Sequence, residues 1–150
     1  MRIIGKKTQR VDGIALVSGK PVFTDDIDLP ELLHVKILHS PIAHGRIKKI
    51  DKTPALAIPG VIAIYTHVDF PARYYTTAGQ GYPEPSPRDT VILDSIVRYV
   101  GDRVAIVAAK TLEVAEEALK NIEVEYEEVP PNFNPETASE NTPLHKEPAK

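Results

Sequence analysis

Hydrophobic and polar positions alternate most cleanly near the C-terminal end of the chain. Ile122, Val124 and Tyr126 point one way and Glu123, Glu125 and Glu127 the other. This period of two predicts a half-buried strand over Ile122–Glu127. Upstream, Val104–Ala109 is apolar at every position and predicts a buried strand. Between the two, Leu112–Lys120 predicts a helix. Thr111 is placed to cap it, Glu113 lies in the positive first turn and Lys120 in the negative last turn. A strand–helix–strand unit is therefore expected at this end.

The N-terminal half gives shorter signals. Leu33–His39 alternates, with Leu33, Val35 and Ile37 on the face expected to be buried and His34 and Lys36 on the other. Ser40-Pro41 stops it, and Arg46–Ile50 reads as another short strand. Thr53 as N-cap with Pro54 at the first helical position predicts a short helix that Pro59-Gly60 ends. Val61–Tyr65 reads as a strand buried on both faces. Ile14–Val17 and Val22–Phe23 read as strands parted by a turn at Ser18-Gly19-Lys20. Order returns at Val91–Val97, and Tyr99-Val100-Gly101-Asp102 predicts a turn. Residues 67–90 lack periodicity and hold Gly79, Gly81, Pro83, Pro85 and Pro87. A loop of that length in a compact domain is expected to be functional or to dock onto another surface. From Pro130 the chain is proline-rich and polar. The expected organisation is one α+β domain over 1–138, with 139–150 as a tail or linker.

Composition narrows the function classes. With 150 residues, 42% hydrophobic and 26% charged, the chain has the balance of an ordinary globular domain. A domain of this size buries about 68–70% of its unfolded surface, so it needs no disulfide or structural metal to fold. The net charge of −3 gives no general attraction for phosphate backbones, and no nucleic-acid partner is expected. There is no cysteine, which excludes thiolate metal sites, iron–sulfur ligation and a cysteine nucleophile from this chain. No apolar run approaches the roughly 20 residues that span a bilayer, and residues 1–7 lack the apolar core of a signal peptide. A cytoplasmic location without membrane contact is expected.

The candidate motifs favour structural readings. His39 and His44 lie five apart around Pro41, but a metal site needs a third converging ligand. Asp25, Asp26 and Asp28 fail the calcium-loop pattern, because its required glycine and glutamate fall on Pro30 and Lys36. Gly79-Gln80-Gly81 does not lead from a strand into a helix, as a dinucleotide-binding turn must. Glu123, Glu125, Glu127 and Glu128 read as a solvated strand face rather than a catalytic carboxylate pair. No nucleophile–base pair stands out. No catalytic or metal residue is assigned, and cofactor-binding residues are left open.

Several segments, taken in order, resemble one family. They are Arg10-Val11-Asp12-Gly13, Ser18-Gly19-Lys20-Pro21, Phe23-Thr24-Asp25-Asp26-Ile27, Leu33-His34-Val35-Lys36 and Ser40-Pro41-Ile42-Ala43-His44-Gly45-Arg46-Ile47. Ile50-Asp51, Ile58-Pro59-Gly60-Val61, Asp69-Phe70-Pro71, Val97-Arg98-Tyr99-Val100-Gly101-Asp102-Arg103-Val104-Ala105 and Val124-Glu125-Tyr126-Glu127-Glu128-Val129-Pro130 complete the series. Over about residues 8–138 the chain resembles the N-terminal α/β hammerhead domain of the molybdenum-binding large subunit of xanthine dehydrogenases and aldehyde oxidases. His39 departs from that pattern, since members often carry arginine before Ser-Pro.

The resemblance implies an α+β fold with a small mixed β-sheet, two helices and a hammerhead-like β excursion. It implies a parent enzyme that carries out oxidative hydroxylation with water-derived oxygen, using a molybdopterin-type molybdenum cofactor, iron–sulfur clusters and commonly FAD. The pterin-binding segments and the general-base glutamate of such subunits lie in later domains. This chain alone is accordingly expected to bind no cofactor and to be inactive. Its expected role is structural and docking, with the other molybdenum-binding domains and the iron–sulfur and FAD subunits or domains as partners. The rival reading is a free-standing small-molecule or protein-binding module on the same fold.

Overall fold

The computed structural model describes residues 4–77 and 88–140. The chain divides into two units, Met1–Leu32 and Leu33–Lys150.

Within the first unit, Gly13–Val17 forms a one-turn helix, α1, where a strand was expected. The cause is Gly19. It adopts φ 66° just past the helix end, its N–H reaches the Leu16 carbonyl, and the Lys20 N–H reaches the Ala15 carbonyl. This is the left-handed glycine stop of a helix, not a turn between strands. The expected strand at Val22–Phe23 is also absent; a 3-10 turn follows at Thr24–Asp26, where the Phe23 N–H donates to the Asp26 carboxylate at 2.9 Å. No described residue of this unit is buried, and Val11, Ile14, Val17, Val22 and Phe23 are all exposed.

The second unit holds six strands and two helices among its described residues: β1 His34–His39, β2 Gly45–Asp51, α2 Thr53–Leu56, β3 Val61–Thr66, β4 Ile96–Val97, β5 Arg103–Ala109, α3 Leu112–Lys120 and β6 Glu123–Glu128. The strands form two three-stranded sheets, ordered β1-β5-β3 and β4-β2-β6, with antiparallel pairing throughout. The α+β class stands, and β5–α3–β6 is the expected strand–helix–strand unit, with its two strands in different sheets. A short 3-10 segment, Pro135–Glu140, follows β6.

Helix α3 forms as its sequence requires. The Thr111 hydroxyl accepts from the Val114 N–H at 3.3 Å. Hydrogen bonds from its own backbone N–H and from Thr111 lower the Glu113 pKa, as suits a carboxylate at a helix N-terminus. Helix α2 differs in detail. Lys52, not Thr53, is its N-cap residue, and the Asp51 carboxylate accepts from the Thr53 N–H at 2.9 Å. The small side chains Ala55, Ala115 and Ala118 let both helices lie close on the first sheet, over Ile64, Ala105, Val107 and Ala109. A second core joins Ile47, Val97 and Val104, with Leu38, Ile50 and Val124 bridging to the first.

Two burial expectations are corrected. In β1, Leu38 packs into the core, and Lys36 reaches Glu116 of α3 at 2.9 Å. Leu33 and Val35, expected to be inside, are exposed, Val35 to 56%. In β3, Ile64 is buried, yet Tyr65 is 43% exposed, so the strand is not buried on both faces. Alternation shows which residues share a face, but not which face another element covers.

Candidate functional site

The two longest motif segments meet in space. Strand β1 ends at Ser40-Pro41, and β5 starts after the Tyr99–Asp102 turn. The Ser40 N–H donates to the Asp102 carbonyl at 2.7 Å, and the Gly101 N–H donates to the Ser40 carbonyl at 2.8 Å. His39 Nδ1 lies 2.6 Å from the Gly101 carbonyl, which requires a proton on that nitrogen. The Ser40 hydroxyl donates to the Ile42 carbonyl at 3.0 Å and accepts from its N–H at 3.2 Å. The Asp102 carboxylate accepts from the Arg98 N–H at 3.0 Å and the Arg103 N–H at 2.9 Å. A register shift after Leu38 leaves Val104 unpaired with β1 and places it in the second core, as a β-bulge does when it re-aims a side chain.

Arg103 extends the junction. Tyr75 and Thr90 exchange backbone hydrogen bonds of 2.8 and 3.1 Å, which close the base of the long excursion. The Arg103 guanidinium donates to the Tyr75 hydroxyl and to the Val91 carbonyl, each at 3.3 Å. The Tyr75 contact raises the Arg103 pKa further, against partial desolvation. Arg98 pairs with Asp94 at 2.9 Å. Beside these groups lies an open cleft of about 340 Å³, lined in part by Thr90, Asp94, Arg98, Tyr99 and Arg103. Arg98, Arg103 and Asp102 hold backbone and partner charges here. Their arrangement builds a rigid junction between the end of β1, the start of β5 and the base of the excursion.

A second polar node ties α2 to the end of β3. Lys52 Nζ donates to the Asp69 carboxylate at 2.8 Å and to the Ile64 carbonyl at 2.9 Å. Asp69 also accepts from the Thr66 N–H at 2.7 Å and the Thr66 hydroxyl at 2.9 Å. The Lys52 hydrogen bond and then the Thr66 N–H lower the Asp69 pKa. Thr66 is fully buried, and Asp69 satisfies its hydroxyl.

The motifs weighed in the sequence fall elsewhere. Asp26 caps its local turn. Glu123, Glu125 and Glu127 lie exposed on β6 opposite Asp51, Lys49 and Arg46 of β2. Gly79-Gln80-Gly81 and its neighbouring prolines lie outside the described residues. Among the described residues, no three His, Asp or Glu side chains gather as a metal site would need. Sequence reasoning missed the contacts of Arg103 with Tyr75 and of Lys52 with Asp69. The paired residues are 28 and 17 positions apart, and the family segments marked Arg103 and Asp69 but neither Tyr75 nor Lys52.

The chain is a member of the aldehyde oxidase and xanthine dehydrogenase family. The sequence pattern of that family's a/b hammerhead domain matches residues 18–130, and the chain belongs to it. Among relatives, it is 42% identical over 150 residues to a probable hypoxanthine oxidase of Escherichia coli O157:H7, covering 99% of this chain and 16% of that protein. It is 39% identical over 142 residues to a xanthine dehydrogenase molybdenum-binding subunit of the same organism, covering 91% of this chain and 19% of that one. A solved carbon monoxide dehydrogenase from Oligotropha carboxidovorans superposes with a TM-score of 0.77 at 36% identity, covering 89% of this chain and 16% of that chain. The chain thus spans under a fifth of the length of these relatives.

Proposed function

We propose that this chain is a structural and docking domain of a xanthine dehydrogenase- or aldehyde oxidase-type molybdenum hydroxylase, with residues 1–138 as the hammerhead domain and 139–150 as a tail or linker. The observation that carries this reading is the coverage. The hammerhead pattern matches residues 18–130, and the chain is 39% identical over 142 residues to a xanthine dehydrogenase molybdenum-binding subunit, 19% of whose length that match covers. The parent enzyme carries out oxidative hydroxylation with water-derived oxygen, through a molybdopterin-type cofactor and iron–sulfur clusters, commonly with FAD. The residues of this chain do not fit the holding of an iron–sulfur cluster. It has no cysteine for iron–sulfur ligation. Of the charged groups that line its cleft, Asp94, Arg98, Asp102 and Arg103 make hydrogen bonds or ion pairs within the junction. No reaction step is therefore assigned to it. Its partners are the remaining molybdenum-binding domains and the iron–sulfur and FAD subunits or domains.

The test is to assay the purified 150-residue chain with aldehydes and purines, and to analyse the polypeptide that carries this sequence in its source for molybdenum. No turnover by the chain and molybdenum in the source polypeptide are expected. Turnover by the chain itself, free of contaminating enzyme, overturns the reading.

A further inference from the structure

Among the described residues of the second unit, the β1-β5-β3 sheet has one face covered by a helix and one that no helix or strand covers. Helix α3 covers the face of Leu38, Ile64, Ala105 and Val107. Residues directly opposite in a ladder share a face, so the pairing fixes what lies on the other side. One row is Ile37–Ile106–Tyr65 and the next is Val35–Ala108–Ala63. All six side chains are apolar in character and none carries a charge. Val35 and Tyr65 are exposed and the other four are only half-buried. Among the described residues, only the Phe70 ring, 5.5 Å from that of Tyr65, packs on a side chain of this face as a ring contact. An apolar sheet face with no helix or strand of its own unit over it is the kind of surface that another layer packs against.

We propose that this open face is a docking surface whose occupant is a further, apolar part of the same polypeptide. The proposal rests on the functional reading above, in which the chain is one part of a large subunit. Two observations select that occupant. Relatives at 42% and 39% identity continue far past the matched region, which is 16% and 19% of their length. The two uncharged rows also form a narrow strip, less than separate molecules need. A stable interface between separate molecules takes about 20–30 residues a side, and the two paired rows supply six of them. A tethered occupant needs less, because its effective concentration is set by the connecting chain. The chemistry it must present is a flat, uncharged aliphatic or aromatic layer, packed about 10 Å away if it is a second sheet.

The experiment is hydroxyl-radical footprinting of the 150-residue chain and of the source polypeptide that carries it. Oxidation of Tyr65 is expected to fall roughly tenfold in the source polypeptide, as its exposure goes from 43% to that of a core side chain. Val35 follows it, while Leu112 at the start of α3 stays equally reactive. Equal oxidation of Tyr65 in the two preparations overturns the proposal. So does a source polypeptide of 16.5 kDa, the mass of this chain alone. A dimer of the 150-residue chain in sedimentation that Tyr65→Lys dissociates also overturns it, in favour of a second copy. Molybdenum analysis of the same source preparation separates the two failures. A molybdenum-bearing polypeptide with Tyr65 fully reactive sinks the docking face alone. A larger, molybdenum-free polypeptide with Tyr65 protected sinks the functional reading and supports the docking face.

Discussion

The two sheets of the second unit have the same size and the same antiparallel pairing, yet their outward faces are opposite in chemistry. On β4-β2-β6 the outer pairs are Arg46–Glu127, Lys49–Glu125 and Asp51–Glu123, all exposed except for the half-buried Asp51. On β1-β5-β3 the open rows are Ile37–Ile106–Tyr65 and Val35–Ala108–Ala63. The inner faces of both build the shared core through Leu38, Ile50 and Val124. A charged outer face is finished by water; an apolar one leaves burial incomplete. The comparison therefore locates the side of the unit that ends in solvent and the side that is built to be covered.

The largest effect should come from the charged-face sheet, at Gly45 in its central strand. A Cβ there would sit 2.6 Å from the Glu127 carbonyl oxygen and 2.6 Å from Ile42 Cδ1. The backbone of β6 cannot retreat without losing its pairing to β2. Gly45→Ala is expected to cost about 3 kcal/mol by overpacking, read by chemical denaturation. A loss below about 1 kcal/mol would show that the β2–β6 pairing is loose. Next is Val107, fully buried on the helix-covered side of β5. Val107→Ala is expected to cost about 2 kcal/mol from lost transfer energy and the cavity left behind. Tyr65→Lys, on the open side, should cost less than about 1 kcal/mol in the 150-residue chain. Equal losses at Val107 and Tyr65 would abolish the distinction between the covered and open faces.

A smaller effect is expected at Asp69, which anchors β3 at the edge of the open sheet. Its folded pKa lies below the ordinary carboxylate value because Lys52 and Thr66 donate to the ionised form. A depressed folded pKa contributes stability that is present above the unfolded pKa of about 3.9 and lost as pH falls through the folded value. Asp69→Ala should therefore cost about 1 kcal/mol at neutral pH. The gap between variant and parent should close in acid below pH 4 or so. A gap independent of pH would mean that the Lys52–Asp69 contact contributes through packing rather than charge.

Legibility in the sequence tracked the range of the physics involved. The α3 helix, its Thr111 cap and the Ile122–Glu127 alternation depend on residues within one or two turns, and the structure follows them closely. At α1 the local signal was ambiguous. Gly19 serves equally well to separate strands and to stop a helix, and the Lys20-to-Ala15 hydrogen bond decided it. In β1 the alternation holds but the side expected inside is exposed at Leu33 and Val35, and β3, expected to be buried on both faces, is exposed at Ile62 and Tyr65. That error follows from the apolar open face itself, because an uncovered docking face looks like core when only the sequence is read. The site was least legible. The Ser40–Asp102 and Arg103–Tyr75 contacts are long-range; the ordered family motifs mark Ser40, Asp102 and Arg103, and nothing in the sequence marks Tyr75.

The smallest expected effect tests the other half of the comparison. Glu125 lies opposite Lys49 on the exposed face of β6 and β2. Opposed charges on neighbouring strands contribute little when water competes for both. Glu125→Lys places like charges opposite each other and should cost no more than about 0.5 kcal/mol. The loss should vanish near 1 M salt, where screening acts within about 3 Å. A loss of about 2 kcal/mol that survives high salt would be typical of a buried contact. The charged face would then also be a covered surface, and the asymmetry that singles out the Tyr65 side would be gone.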